Sequence, residues 1–199
     1  MLANLDDASL LEAFQRDGQL AAFEEVFRRN KDPLYRFLLR LAGVEAIAQD
    51  VSQHAWMKVL ELLRNAAYRS ERGASFRTFL FTLARNRYFD EYCRRHEAVH
   101  SESLSGYIER EGDPSADPLL DPSHIVGDAD LRAKIETAMQ ALPVEQHEVI
   151  ALWLQGFALT EVAKITGAPW HTVVSRKSYA MKKLKASLST SLDASCVET

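Results

Sequence analysis

Apolar residues recur at helical spacing through much of the first half of the chain. Phe23, Val26 and Phe27 repeat three and four positions apart, and so do Leu34, Phe37, Leu38 and Leu41. That interval lines up one face of a helix. Gly43 is a natural stop. From about Glu45 to Asn65 a further helix collects Ile47, Val51, Ala55, Val59 and Leu62 on one side. The polar stretch 67–75, with Arg69, Ser70, Glu71, Arg72 and Gly73, reads as a loop. A long helix is then expected from about Ser75 to His96. Its apolar stripe is Phe76, Phe79, Leu80, Leu83, Tyr88 and Tyr92, and its other face is rich in arginine.

The pattern breaks over about 98–128, where Ser101, Ser103, Ser105, Gly106, Gly112, Pro114, Pro118 and Pro122 crowd together. So little apolar surface cannot offset the entropy of ordering, so an extended or disordered linker is expected, with one short turn at Leu104, Tyr107 and Ile108 at most. Periodicity returns near Ala129, with Leu131, Ile135, Met139 and Leu142 on one stripe. Pro143 suits the first turn of the next helix, which buries Val149, Ile150 and Leu152. A short helix packed by Val162, Ala163 and Ile165 follows, then a turn at Gly167, then a second helix opened by Pro169 and anchored by Val173. Gly167 reaches positive φ without steric cost, and Ala163 is small where the second helix crosses. This is the outline of a helix-turn-helix. The expected fold is all-α. It has one small domain over 1–97, an acidic flexible linker over 98–128, a helix-turn-helix domain over 129–190 and a tail over 191–199.

Composition agrees with helix, since Gly (8) and Pro (6) are few in 199 residues. No apolar run is long enough to span a bilayer, so no membrane insertion is expected. The acidic start Met1-Leu2-Ala3-Asn4-Leu5-Asp6-Asp7 is unlike a signal peptide, so the expected compartment is the cytoplasm. Cys93 and Cys196 form no CxxC and are expected to be reduced thiols. The net charge of -4 hides a strong segregation. Between Glu97 and Asp130 nine acids face one base, Arg110, so the remainder of the chain is +4. Val162–Leu192 carries Lys164, Arg176, Lys177, Lys182, Lys183 and Lys185 with no acid, and Arg64–Arg95 carries eight arginines. Local field, not total charge, governs contact with phosphate.

These blocks carry the candidate chemistry. The second helix of the helix-turn-helix offers His171, Thr172, Val174, Ser175, Ser178 and Tyr179 to a DNA major groove, with Arg176, Lys177, Lys182 and Lys183 placed for phosphates. The bland alternative is a plain antiparallel helix pair. In the helix from Phe76 to His96, aromatics interleave with Arg77, Arg85, Arg87, Arg94 and Arg95. Aromatic faces can stack unpaired bases while arginines follow the backbone. The bland alternative is a core stripe with a solvated basic edge, which suits Phe79, Leu80, Leu83 and Tyr92. The arginines and Asn86 are the better binding candidates.

Together these segments resemble the extracytoplasmic-function (ECF) branch of bacterial RNA polymerase sigma factors, the smallest members of the sigma-70 family. The resemblance runs over about Leu10–His96 and Leu131–Leu188. It is carried by Ala22-Phe23-Glu24-Glu25-Val26-Phe27, Ala48-Gln49-Asp50-Val51-Ser52-Gln53, Ser75 to Asn86, Asp90 and Arg94-Arg95. In the second half it is carried by Leu142-Pro143, Glu161-Val162-Ala163, Thr172-Val173 and Ser175-Arg176. It implies a non-enzymatic transcription initiation factor without a cofactor or metal. Asp50 and Gln53 would dock core RNA polymerase on the clamp coiled coil of its largest catalytic subunit. Arg72, Ser75, Phe76 and Asn86 would capture a base flipped from the melted minus-ten element, and Arg85, Arg87, Arg94 and Arg95 would hold the adjacent strand. The helix-turn-helix would read the minus-thirty-five element of promoter DNA, and the acidic linker would thread polymerase channels that otherwise hold nucleic acid. An anti-sigma factor is an expected partner, and the free chain is expected to be a monomer.

Several positions depart from the family pattern. Gln49 stands where an acid is usual, Ala158 where Ser or Thr caps the first motif helix, and Lys177 where an apolar residue is usual. Val174 and Tyr179 replace Arg or Lys, Trp170 and His171 replace smaller residues, and Cys93 replaces Arg. An unusual minus-thirty-five preference is the expected consequence.

Two rival readings are weighed against this one. His96-Glu97-Ala98-Val99-His100 matches HExxH, which on one helix places two zinc ligands and a general base together. The match falls where a basic helix runs into a polar linker, without the apolar shell that orients ligands. Ser103 and Gly106 also break the extended form of the motif. The other rival is a helix-turn-helix regulator that binds DNA without polymerase.

Overall fold

The computed structural model describes residues 4–65, 67–68, 75–90 and 129–195, all of whose regular elements are helices. The first compact unit contains α1 (Asp7–Asp17), α2 (Leu20–Ala42), α3 (Glu45–Arg64) and α4 (Phe76–Tyr88). The second contains α5 (Ala129–Gln140), α6 (Val144–Leu154), α7 (Leu159–Thr166) as far as Ala163, and α8 (Trp170–Ser195). The expected linker and the histidines of HExxH lie outside the described residues. So do Arg72, Cys93, Arg94, Arg95 and Cys196.

In the first unit, α2 is a continuous 23-residue helix that carries Pro33 in its interior. It packs chiefly on α3 and α1, while α4 closes against α3 and α2. The core is Val26, Leu34, Phe37, Leu38 and Leu41 from α2, Val51, Ala55 and Val59 from α3, and Leu80, Phe81 and Ala84 from α4. The predicted stripes of α2 and α3 point inward with three exceptions. Ile47 and Leu62 are half-buried, and Phe27 stays 38% exposed. Tyr88 donates its hydroxyl to the Leu41 carbonyl (3.2 Å), fastening the end of α4 to the end of α2. Gly43 ends α2 at φ 68, in the left-handed region that glycine enters without strain.

Helix α1 has caps that are plain in retrospect. Asp6 accepts from the Ser9 amide (2.9 Å) at the start, and Gly18 ends the helix with φ 65. The helix is fastened to α2 by polar contacts. Asn30 is buried and donates to Asp7 (2.9 Å) and to the Val26 carbonyl (2.9 Å). Arg29 bridges Glu25 (2.7 Å) and Asp7 (3.2 Å). Hydrogen bonds from Arg28 and then Arg29 hold the Glu25 carboxyl well below its ordinary 4.5, at about 2. The folded value is the lower one, so this pairing stabilises fully above pH 4.5 and fades as pH falls toward about 2. The melting temperature of the full-length protein should therefore drop between neutral pH and about pH 3. Glu25→Gln should shrink that drop, and an unchanged pH profile would remove Glu25 from the account.

In the second unit α8 packs on α5 and α6. Met139, Leu142, Ile150 and Ala180 form a core cluster with Leu184 against it. Ala138 joins the buried face of α5, whereas Ile135 is 41% exposed despite sharing the predicted stripe, and nothing in the structure explains it. Pro143 sits one position earlier than expected, as the cap residue of α6, and its carbonyl accepts the Gln146 and His147 amides. Val149, Ile150 and Leu152 are buried as predicted, and His147 and Glu148 are buried with them. Gly167 has φ 67 and joins α7 to α8 through only Gly167, Ala168 and Pro169. A Cβ at Gly167 would meet nothing within 4 Å, so only backbone strain opposes a side chain there. Gly167→Ala should cost about 1–2 kcal/mol in chemical denaturation, the penalty of the left-handed conformation. Gly167→Asn should cost less, and equal losses would point to packing instead.

Candidate functional site

The second unit carries a polar stripe. On α8, His171, Ser175, Ser178 and Lys182 recur four, three and four residues apart, and all four are exposed. The opposite side is buried through Val173 and Ala180, which are 0% exposed. This division follows from helical periodicity. Tyr179, 59% exposed, flanks the stripe, as does exposed Lys183. Thr172, Val174 and Arg176 are half-buried and not fully presented, because they lie between the stripe and the packed side. Ser175 donates its hydroxyl to the His171 carbonyl one turn back (2.9 Å).

Two departures at this site have a local explanation. The Lys177 ammonium lies 3.9 Å from the centroid of the Trp153 ring, so a lysine at an apolar position caps an aromatic face. Trp153 is 37% exposed even so. At the start of α7, Ala158 supplies no side-chain cap, but the Glu161 carboxylate accepts from its backbone amide (2.9 Å). One half of a capping box is therefore present, which offsets part of the lost cap.

In the first unit, α2 and α3 border a groove of about 440 Å³ with an apolar floor. Phe23, Phe27, Trp56, Met57 and Leu60 line it, together with Gln49 and Gln53. Phe27 packs on Trp56 with ring centroids 4.8 Å apart, and Met57 is 60% exposed. Gln53 is exposed, and Asp50, one turn of α3 away, has its side chain 40% exposed. His54 Nδ1 lies 3.3 Å from the Asp50 carboxylate. Gln49, where an acid was expected, donates to Glu45 (2.9 Å), and Tyr35 donates to the same carboxylate oxygen (3.2 Å). Burial first, and then the Glu45 charge, push the Tyr35 phenol above its ordinary value, so it remains a donor. The groove was not visible in the sequence, although Phe27 and Met57 as exposed apolar residues on adjoining helices are its signal.

Helix α4 revises several expectations. Phe76 is 3% exposed and sits 6.3 Å from Trp56 and 5.9 Å from Tyr68 by ring centroids, so it is a core residue without a face for a base. Phe81 is likewise core, at 0%. Phe79 and Leu83, expected inside, are half-buried. Ser75 accepts from the Thr78 amide (3.1 Å) and so serves as the α4 cap. Asn86 is exposed and its side-chain oxygen accepts from Arg85 (3.3 Å). The Arg85 guanidinium also lies 4.5 Å from the Phe89 ring centroid, and Arg87 is half-buried. The helix is regular to Tyr88, and Phe89–Asp90 continue it as a wider π turn. The predicted extension to His96 falls outside the described residues. Among the described residues no cluster of His, Cys, Asp and Glu could hold a metal ion, and no helix is long and apolar enough to cross a membrane.

Comparison with known proteins adds to this geometry. Residues 26–98 match the family Sigma-70 region 2. The chain is 26% identical over 184 residues to the ECF RNA polymerase sigma factor SigE of Mycolicibacterium smegmatis, a match covering 90% of this chain and 68% of that protein. It is 26% identical over 172 residues to the ECF RNA polymerase sigma factor BldN of Streptomyces coelicolor, covering 83% of this chain and 60% of that one. The fold resembles that of the sigma factor RpoE in its co-crystal structure with the anti-sigma factor NepR from Bartonella quintana. That match has a TM-score of 0.64 and 24% identity, and covers 84% of this chain and 96% of that one.

Proposed function

We propose that this chain, as a member of the ECF group of the sigma-70 family, directs core RNA polymerase to promoters through two separate surfaces. It is a transcription initiation factor and not an enzyme. Polymerase performs the chemistry, while this chain supplies position and strand opening. The observation that carries the reading is the divided surface of α8, an exposed polar stripe backed by the fully buried Val173 and Ala180. A helix of that kind on a short turn enters a major groove, and its lysines meet phosphates. His171, Ser175, Ser178 and Tyr179 face the minus-thirty-five bases, and Lys182 and Lys183 the backbone, with Thr172, Val174 and Arg176 at the margins.

The groove beside Gln53 is the docking face for core polymerase, with Asp50 as the charged contact and Phe27 and Met57 as apolar ones. Asn86, Arg85 and Arg87 on α4, with Arg72, Arg94 and Arg95, hold the melted minus-ten strand. Phe76 acts beneath that surface as core, while exposed Ser75 caps the head of α4 and remains open to the strand. The segment 98–128 is the acidic tether between domains 1–97 and 129–190. An anti-sigma factor is the expected regulator, in keeping with the complex held by the similar structure. The free chain acts as a cytoplasmic monomer.

The test is transcription in vitro with core polymerase on a promoter library, mapping start sites. New start sites with this chain, absent with core alone, are expected. Failure to bind core, with no transcript from any template, would end the reading. Tight binding of duplex DNA without core would favour the polymerase-independent regulator instead.

A further inference from the structure

The minus-thirty-five reading says where α8 sits and leaves open what kind of base edge each side chain can take. At one position the structure restricts the answer. Ser175 is exposed in the middle of the stripe, and its hydroxyl donates to the His171 carbonyl at 2.9 Å. A serine hydroxyl has one proton and two lone pairs. With the proton held inside the helix, what Ser175 presents outward is acceptor only. The partner carbonyl belongs to the helix backbone and moves with Ser175, so the bond remains available when the helix enters a groove.

Major-groove edges divide cleanly by this criterion. The acceptors are guanine N7 and O6, adenine N7 and thymine O4, and the only donors are the exocyclic amines of adenine and cytosine. An acceptor-only side chain gains nothing from the first group and loses its water against it. We propose that Ser175 reads an exocyclic amino group, adenine N6 or cytosine N4, in the minus-thirty-five element. This rests on the proposed role of α8 and assigns the chemistry of one contact within it. Arginine and lysine at this helix position would demand an acceptor edge, so the serine inverts the requirement.

The experiment uses the full-length chain with core polymerase on promoters altered at single bases. Start-site profiling of wild type against Ser175→Ala over a randomised upstream element first locates the base pair whose preference collapses. At that pair the amine-bearing base is then replaced by purine or 2-pyrimidinone, which lack the amino group, and separately its purine by the 7-deaza form, which lacks N7. The expected result is a roughly three- to tenfold loss of promoter binding by wild type on removing the amine, about one net hydrogen bond. Ser175→Ala should be indifferent to that change, apart from any cost of weaker pairing common to both proteins, which the double-mutant comparison subtracts. Ser175→Thr, which can make the same backward bond, should restore sensitivity. Sensitivity to the 7-deaza base and not to amine removal would show the hydroxyl donating, and would overturn the inference while α8 remains the reader. Equal loss in both proteins would overturn it too. If no change in the upstream element affected start-site choice, the role of α8 itself would fall.

Discussion

Phe81→Ala should destabilise the first unit by about 3–5 kcal/mol, the range for deleting a fully buried ring. Phe81 is 0% exposed and lies 5.3 Å from Phe37 by ring centroids, so the vacated volume opens between α2 and α4. The Tyr88 hydroxyl bond to the Leu41 carbonyl ties the ends of these two helices together, so the site has little freedom to collapse. Domains carry about 5–15 kcal/mol in total, so most of the margin goes. Urea denaturation followed by circular dichroism should show an earlier first transition, and promoter-directed transcription should fall with it at physiological temperature. A loss below about 1 kcal/mol would mean that the core repacks around the gap.

The second large effect is on partner binding, not stability. Asp50→Ala combined with Gln53→Ala should weaken binding to core polymerase by roughly ten- to a hundredfold, as expected for losing a charged and a neutral hydrogen bond together. Neither side chain is buried, and α3 is held by Val51, Ala55 and Val59 on its other side, so helical content should be unchanged. Labelled full-length protein titrated with core enzyme measures both quantities. Full affinity in the double variant would move the docking face away from α3 and leave the assignments on α8 untouched.

How far these surfaces were readable in the sequence depended on what kind of signal each one sends. The stripes of α2 and α3 were legible because burial acts on every third or fourth residue, and Gly43 and Gly167 because positive φ selects glycine. The interior of α4 was less so. Phe76, Phe79 and Phe81 are chemically the same, and periodicity alone did not say that Phe76 and Phe81 sink while Phe79 lies at the margin. That choice is made by Trp56 and Phe37, which approach from α3 and α2, and by Tyr68, which follows the end of α3. Ser75 showed the opposite ambiguity. A serine before a helix serves equally well as a cap or a contact, and the bond to the Thr78 amide adds the first role to an exposed side chain. The place of Lys177 depends on Trp153, more than twenty positions earlier, whose ring lies beneath its ammonium. The proton of Ser175 is the extreme case, because no sequence pattern records which way a hydroxyl turns.

Trp56 has a consequence of its own. Its indole lines the groove beside Gln53 and also lies 6.3 Å by ring centroids from Phe76 at the head of α4. Under the proposed function a single side chain thus answers to two masters, the docking face in the groove and the strand-binding face of α4. On that reading, variation at either surface is filtered through the other, and exposed Asn86 is freer to change than the aromatic wall behind it.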